Sequence, residues 1–219
     1  MRLFLLLAPL ALVLCAQQPA EILARLDRTA PAFRSAKAQI RSVEHTAVID
    51  EDDIETGTIT IRRADPSSLQ VRVDFTSENA RTAVISGKKA EVYHPKINEI
   101  QEWNLAHYRD IAQKFFALGF GTAGRELAAG YTVRDIRPEN LEGQAVTHMD
   151  LSPKDREVAQ HLPRVELWLS DRTQCPVQQK FYFPDGSYRQ VTFSDMQLNP
   201  SVPASAFDLP KSATRRRMN

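Results

Sequence analysis

The sequence is poor in the residues that most site chemistries require. It holds only two cysteines, and Cys15 falls in the apolar leader described below, so Cys175 is the single thiol of the body. One thiol forms no internal disulfide, and with no Cys or His beside it no metal cluster either; it reads as a half-buried packing residue. Glycine is scarce, at 8 of 219 residues. No P-loop is present, no G-x-G-x-x-G follows a strand pattern, and Gly119-Phe120-Gly121 follows a helical pattern as its stop. G-x-S-x-G is absent too, which removes the hydrolase nucleophile elbow. Charge of one sign is lacking: 28 Lys and Arg against 27 Asp and Glu exclude a nucleic-acid field. The longest apolar run, Leu3 to Cys15, is broken by Pro9 and is too short to span a bilayer. No period of 20 to 50 residues recurs, so solenoids and propellers are excluded.

The polar groups that are present do not assemble into a catalytic pattern. His45, His94, His107, His148 and His161 are scattered singly, and none has a partner at metal-ligand spacing. Asp50 to Asp53 with Glu55 lacks the central glycine and spaced ligands of a calcium loop, and reads as a solvated hairpin tip. No carboxylate pair is set at a meaningful spacing. The expectation is a protein that is not an enzyme and uses no cofactor and no metal.

What the chain does carry is an export signal and a long β pattern. Met1-Arg2, the apolar run and the small Ala16 have the layout of a secretory signal peptide over 1–16, which places the mature chain in a periplasm. Leu12-Val13-Leu14-Cys15 also begins like a lipid-attachment signal, with Leu14 where a smaller residue is usual, so a lipid-anchored form through Cys15 stays open. With 42% apolar and 25% charged residues, 17–210 fits one globular domain, and the basic stretch Arg215-Arg216-Arg217 marks 211–219 as a solvated, flexible tail.

Along the body, Pro19 to Ala38 shows Ile22, Leu23, Leu26, Ala30 and Phe33 at helical spacing, with a break at Pro31. The period then becomes two. Strands are expected over Ile40–Ile49, Gly57–Arg62, Leu69–Phe75, Arg81–Ser86, Ala90–Tyr93 and Asn98–Trp103, the third alternating Leu69, Val71, Val73 and Phe75 with Gln70, Arg72 and Asp74. His107–Leu118 places Tyr108, Ile111, Ala112, Phe115 and Phe116 on a helical stripe, and Ala123–Ala129 adds a short second helix. Five strands follow, over Tyr131–Arg137, Gln144–Leu151, Arg164–Ser170, Val177–Phe183 and Ser187–Gln197, the last two joined by a Pro184-Asp185-Gly186 hairpin turn. Pro203–Phe207 reads as one helical turn.

The fold class is therefore α+β, mainly β: about eleven antiparallel strands curling into an incomplete half-barrel, with an N-terminal helix and a central helical lid. A meander this long must curl, because strands twist and open edges are a liability. Its inner face would be either core or a groove open to an apolar ligand. The residues expected to line it are Ile59, Ile61, Val71, Val73, Phe75, Trp103, Leu167, Leu169, Phe181 and Phe183, with Phe115 and Phe116 from the lid.

Several phrases, in order along nearly the whole mature chain, resemble the LolA/LolB-type family of periplasmic lipoprotein carriers. They are Gly57-Thr58-Ile59-Thr60-Ile61-Arg62-Arg63, Leu69 to Phe75, Ser86-Gly87-Lys88 to Tyr93-His94-Pro95, Asp185-Gly186 to Phe193, and Phe207-Asp208-Leu209-Pro210. The resemblance implies a monomeric carrier of acylated lipoproteins, loaded by an inner-membrane donor complex and unloaded at an outer-membrane acceptor. The second reading is an exported lipid or isoprenoid binder of the same fold with no lipoprotein client. In the family an arginine directly before proline latches the lid. Here Ala64-Asp65 separates Arg62-Arg63 from Pro66, so Arg63 is the best positional match, followed by Arg62. In the empty carrier the N-terminal helix, Ile111, Phe115 and Phe116 would fill the groove until acyl chains displace them.

Overall fold

The computed structural model describes residues 14–65, 68–105 and 117–218. Most of the leader, Pro66, and nearly all of the helix expected over His107–Leu118, including Ile111, Phe115 and Phe116, lie outside the described residues.

Two antiparallel meanders make one sheet. The first comprises β1 (Ser35–Thr46), β2 (Glu51–Asp65), β3 (Ser68–Phe75), β4 (Arg81–Ser86), β5 (Lys89–His94) and β6 (Glu99–Asn104). The second comprises β7 (Tyr131–Leu141), β8 (Gln144–Pro153), β9 (Arg164–Ser170), β10 (Pro176–Tyr182) and β11 (Tyr188–Leu198). β12 (Thr214–Arg217) completes the order β12-β6-β5-β4-β3-β2-β1-β11-β10-β9-β8-β7. The sheet curves without closing, so β12 and β7 remain edges. The meanders meet only where β1 pairs with β11, from Ala36↔Leu198 to His45↔Tyr188, with a register shift between Lys37 and Gln39.

Three helices accompany the sheet among the described residues: α1 (Leu14–Thr29), α2 (Gly124–Gly130) and α3 (Arg156–His161). The N-terminal helix stops earlier than its apolar spacing suggested. After Thr29 the chain tightens into a 3-10 turn at Ala30–Ala32, and β1 opens at Ser35. Pro31 removes a helical donor, and Ala36, Ala38 and Ile40 are buried in alternation with exposed Lys37, Gln39 and Arg41. Alanine, a helix former in isolation, concealed that alternation. Val48 and Ile49, expected to end the first strand, sit in the turn instead. The unforeseen α3 starts at Asp155, whose carboxylate accepts from the Glu157 and Val158 amides at 2.9 and 3.2 Å.

The stretch expected to be a loose tail contributes a twelfth strand. β12 lies parallel to β6, from Thr214↔Glu99 to Arg217↔Glu102. Arg215 pairs with Glu91 at 2.6 Å and with Glu102, and the Met218 amide donates to the Glu102 carbonyl at 2.8 Å. Unpaired backbone on β6 and carboxylates on its outer face give the basic segment a place to dock.

Both faces of the sheet are partly covered. On the outer face, Phe207, Leu209 and Ala213 pack over Val84 and Ile100. On the inner face, α1 sets Leu26, with Ile22 and Leu23, against a cluster that includes Leu127, Met149, Leu151, Leu167 and Phe181. The helices α1 and α2 touch closely: a Cβ added to Gly124 would stand 2.0 Å from the Leu23 carbonyl oxygen, so only glycine fits there. Each apolar side chain fully buried in this way contributes about 1.5–3 kcal/mol.

Candidate functional site

Strand alternation decides which side chains share the inner face. Ile59 pairs with Val73 and with Ala38, and Ile61 with Val71, so β1, β2 and β3 present a continuous apolar band. These residues and Ile85 form one buried cluster, with Leu69, Phe75 and Ala90 packed at its margin. Leu167, Leu169 and Phe181 lie in the second cluster beside α1, with Phe183 against it. Trp103 is half-buried opposite Ala90 on β6, at the outlying end of the band. The residues expected to line the inner face from β2, β3, β9 and β10 therefore do face inward, but they are divided between two clusters.

Between the clusters the face is open. A groove enclosing about 430 Å³ of empty space, counted out to its solvent mouth, runs across the β1–β11 seam. Ile59, Val73, Phe75 and Phe181 line it, joined by Ile40, Val191 and Phe193. Its enclosed part is only about 50 Å³, so a ligand of any length would lie partly in the open mouth or need the groove to widen. Sequence reading missed the last three because it treated β1 and β11 as separate strands. Their pairing, Ile40↔Phe193 and Ser42↔Val191, joins positions about 150 apart in the chain, and no local pattern announces it.

One end of the groove is stoppered by the chain that follows the central segment. Ala117 and Phe120 pack into the first cluster and Leu118 into the second. The Phe120 ring stands edge-on to Phe193, centroids 5.2 Å apart, and tilted to Phe33 at 6.3 Å. Two polar side chains fasten this stopper by its backbone. Gln179, buried among the apolar residues of β10, donates to the Leu118 carbonyl. Arg63 donates from Nε to the Phe33 carbonyl at 3.2 Å and from a terminal nitrogen to the Gly121 carbonyl at 3.0 Å. It also lies over the Phe33 ring, 5.8 Å from its centroid. Gly121 has φ +62, and a Cβ there would stand 2.6 Å from the guanidinium, so glycine is required for this grip.

Arg62, the other latch candidate, points to the outer face. There it donates to the Gln70 side-chain oxygen at 3.0 Å and lies over Phe207. The alternation along β2 separates neighbours that the sequence motif alone could not rank. Gln179 was legible in part: it shares the inward parity of β10 with Phe181.

The other end of the groove is ringed by charge. Arg81 stacks over Phe75, 4.1 Å from the ring centroid, and donates to Glu55 through two bonds, one of 2.7 Å. Arg189 pairs with Glu44 across the seam. The Arg81 hydrogen bond holds the Glu55 carboxyl below its usual range against a smaller upward push from burial. A third polar group ties α1 down: Arg25 reaches Thr147 at 3.1 Å and Asp171 at 3.4 Å.

Cys175, His148 and His45, among the described candidates, are each held in structural contacts. Cys175 is buried, and burial pushes its thiol up to about 12. His148 is fully buried against the Trp168 ring, with its nitrogens 3.3 Å from Glu166 and 3.7 Å from Glu139. His45 stacks on Tyr188 and bonds Asp52 at 2.8 Å. Among the described residues no group of three or more His, Cys, Asp and Glu gathers as a metal site, and no helix is long and apolar enough to cross a membrane.

The open, curved sheet with its N-terminal helix is an architecture that solved structures share. An uncharacterized conserved protein from Thermus thermophilus superposes with a TM-score of 0.55 at 16% identity, over 92% of this chain and 100% of that one. MucB superposes at 0.56 with 14% identity, over 90% of this chain and 65% of its own; MucB has also been solved in complex with MucA of Pseudomonas aeruginosa. A LolA superfamily protein from Nitrosomonas europaea aligns more loosely, at 0.41 and 15% identity, over 87% and 97% of the two chains. At these identities the likeness is one of fold. No family model and no curated protein matches the sequence.

Proposed function

We propose that this protein is a periplasmic carrier that takes acyl chains of lipoproteins into the groove and ferries them towards the outer membrane. The observation that carries this reading is the groove itself, lined by Ile40, Ile59, Val73, Phe75, Phe181 and Phe193, in a chain whose leader has the layout of an export signal. Each methylene withdrawn from water contributes about 0.8 kcal/mol, so one sixteen-carbon chain is worth roughly 12 kcal/mol. Three fully buried chains would pass the practical ceiling near 20 kcal/mol, and such a carrier could not release its cargo. A groove that encloses part of the acyl surface, with a stopper that must be displaced, keeps binding reversible. Arg63 and Gln179 are the latches in this scheme, because both hold the 117–121 backbone across the groove end.

The test is titration of the purified protein with a triacylated lipopeptide and, separately, with a fluorescent fatty acid. Ile59→Glu should abolish uptake of both, while Arg63→Lys should retain uptake and change the rate of release. No uptake of either probe by the wild-type protein would refute the carrier reading. Uptake of the fatty acid alone would point to a lipid binder without lipoprotein clients.

A further inference from the structure

The described residues expose five large apolar side chains: Val48 at 84%, Ile49 at 60%, Ile54 at 47%, Ile97 and Leu198. Two of these five, Val48 and Ile49, stand side by side in the turn of one hairpin, β1–β2, and Ile54 lies three rungs below on β2 opposite Val43. Single exposed apolar residues are ordinary, but two adjacent ones in a turn are not. Nor is this tip a loose end. Thr46 pairs with Glu51 to close a four-residue turn, the Ile49 amide donates to the Thr46 carbonyl at 3.3 Å, and Asp50 takes φ 52. The Ala47 amide donates to the Ser187 hydroxyl at 3.1 Å, bracing the turn against the β10–β11 hairpin. Turns of this kind favour Asn, Asp and Gly, and two β-branched apolar residues gain nothing from folding there.

The surroundings select the occupant. Asp50, Glu51, Asp52 and Asp53 are all exposed beside the apolar group; His45 engages Asp52 at 2.8 Å and lies 4.0 Å from Asp50. Next along the hairpin, Glu44 and Glu55 are already matched by Arg189 and Arg81 at the groove mouth. An anionic bilayer surface repels such a tip, since its potential opposes each carboxylate. A protein surface with an apolar cleft and a basic rim complements it on both counts.

We propose that the β1–β2 tip is a protein-docking surface, in which Val48 and Ile49 enter an apolar cleft of a partner whose basic rim faces Asp50, Glu51 and Asp53. The tip stands beyond the groove mouth, about 10 Å past Glu44 at strand spacing, so a bound partner would sit over the opening. This surface is independent of what the groove holds.

The experiment places a photo-crosslinking amino acid at Val48 of the full chain in the producing cell, with Ile97 as the exposed control. The expected result is one discrete heteromeric adduct from position 48 and none from 97. Glu51→Lys with Asp53→Lys should reduce it roughly fivefold or more, by removing the charge match. No adduct, an adduct indifferent to the charge reversal, or one with the mass of a second copy of this chain would overturn the proposal. Flotation with phosphatidylcholine–phosphatidylglycerol vesicles should show no binding; binding that Val48→Ser with Ile49→Ser removes would overturn it in favour of a membrane. That double variant should melt within about 2 °C of the wild type, as exposed positions do, and take up fatty acid as the wild type does. A larger loss of stability would mean the two side chains serve the fold, and would also overturn the proposal.

Discussion

At the scale of single residues, burial sets the behaviour of the one thiol in the body. With its pKa pushed up to about 12, Cys175 is a neutral thiol at pH 8. Ellman's reagent should leave it untouched in the native protein and react fully in denaturant; rapid native reaction would show that the β9–β10 loop opens. Glu55 gives a pH signature. Its folded pKa lies below the ordinary value near 4.5, so the stability it contributes is complete above that value and lost as the pH falls through the lowered one. The pair is partly exposed, so its worth is at most about 1 kcal/mol. In urea titrations from pH 7 to 2, the gap between wild type and Glu55→Gln should close only in the acid range. A gap of constant size would remove the carboxylate from the account. Arg63→Ala should cost about 1–3 kcal/mol by stripping donors from the Phe33 and Gly121 carbonyls, measured as a lower urea midpoint.

At the scale of elements, legibility followed locality. β4 and β9 begin and end where their alternation predicted, and the turn at Ala204–Phe207 was visible from Pro203 onward. β1 was misplaced because its inward residues include Ala36 and Ala38, which look helical without their neighbours. β12 was unreadable: Thr214 to Arg217 has no alternation, and its pairing depends on Glu91 and Glu102 being held on adjacent strands more than 100 positions away. The groove was readable only in part, as its β2 and β3 wall was local and its β1–β11 wall was not. Truncation after Ser212 tests what β12 does. It should lower the melting temperature by a few degrees, speed amide exchange in the adjoining part of β6, and favour self-association through the bared edge. Unchanged exchange at Ile100–Glu102 would show that the strand is not held in solution.

At the scale of the whole molecule, the contacts that close the groove are the most distant in the chain. Pairs across the seam, such as Glu44 with Arg189 and Arg34 with Asn199, lie 145 and 165 positions apart. Long-range pairing of this kind is slow to form, because loop entropy is lost before any contact repays it. Refolding should therefore be biphasic: fluorescence should report early ordering around Trp103 and Trp168 within their meanders, and groove-dependent lipid uptake should return later. Simultaneous recovery of both signals would argue for one cooperative step. The topology also bears on biogenesis. A polypeptide that emerges amino-terminus first completes β1 long before β11 exists, so the edge of β1 waits with its hydrogen-bonding groups bare until Leu198 arrives. During that interval the half-made sheet is vulnerable to strands of neighbouring molecules, and chaperone protection would matter most then.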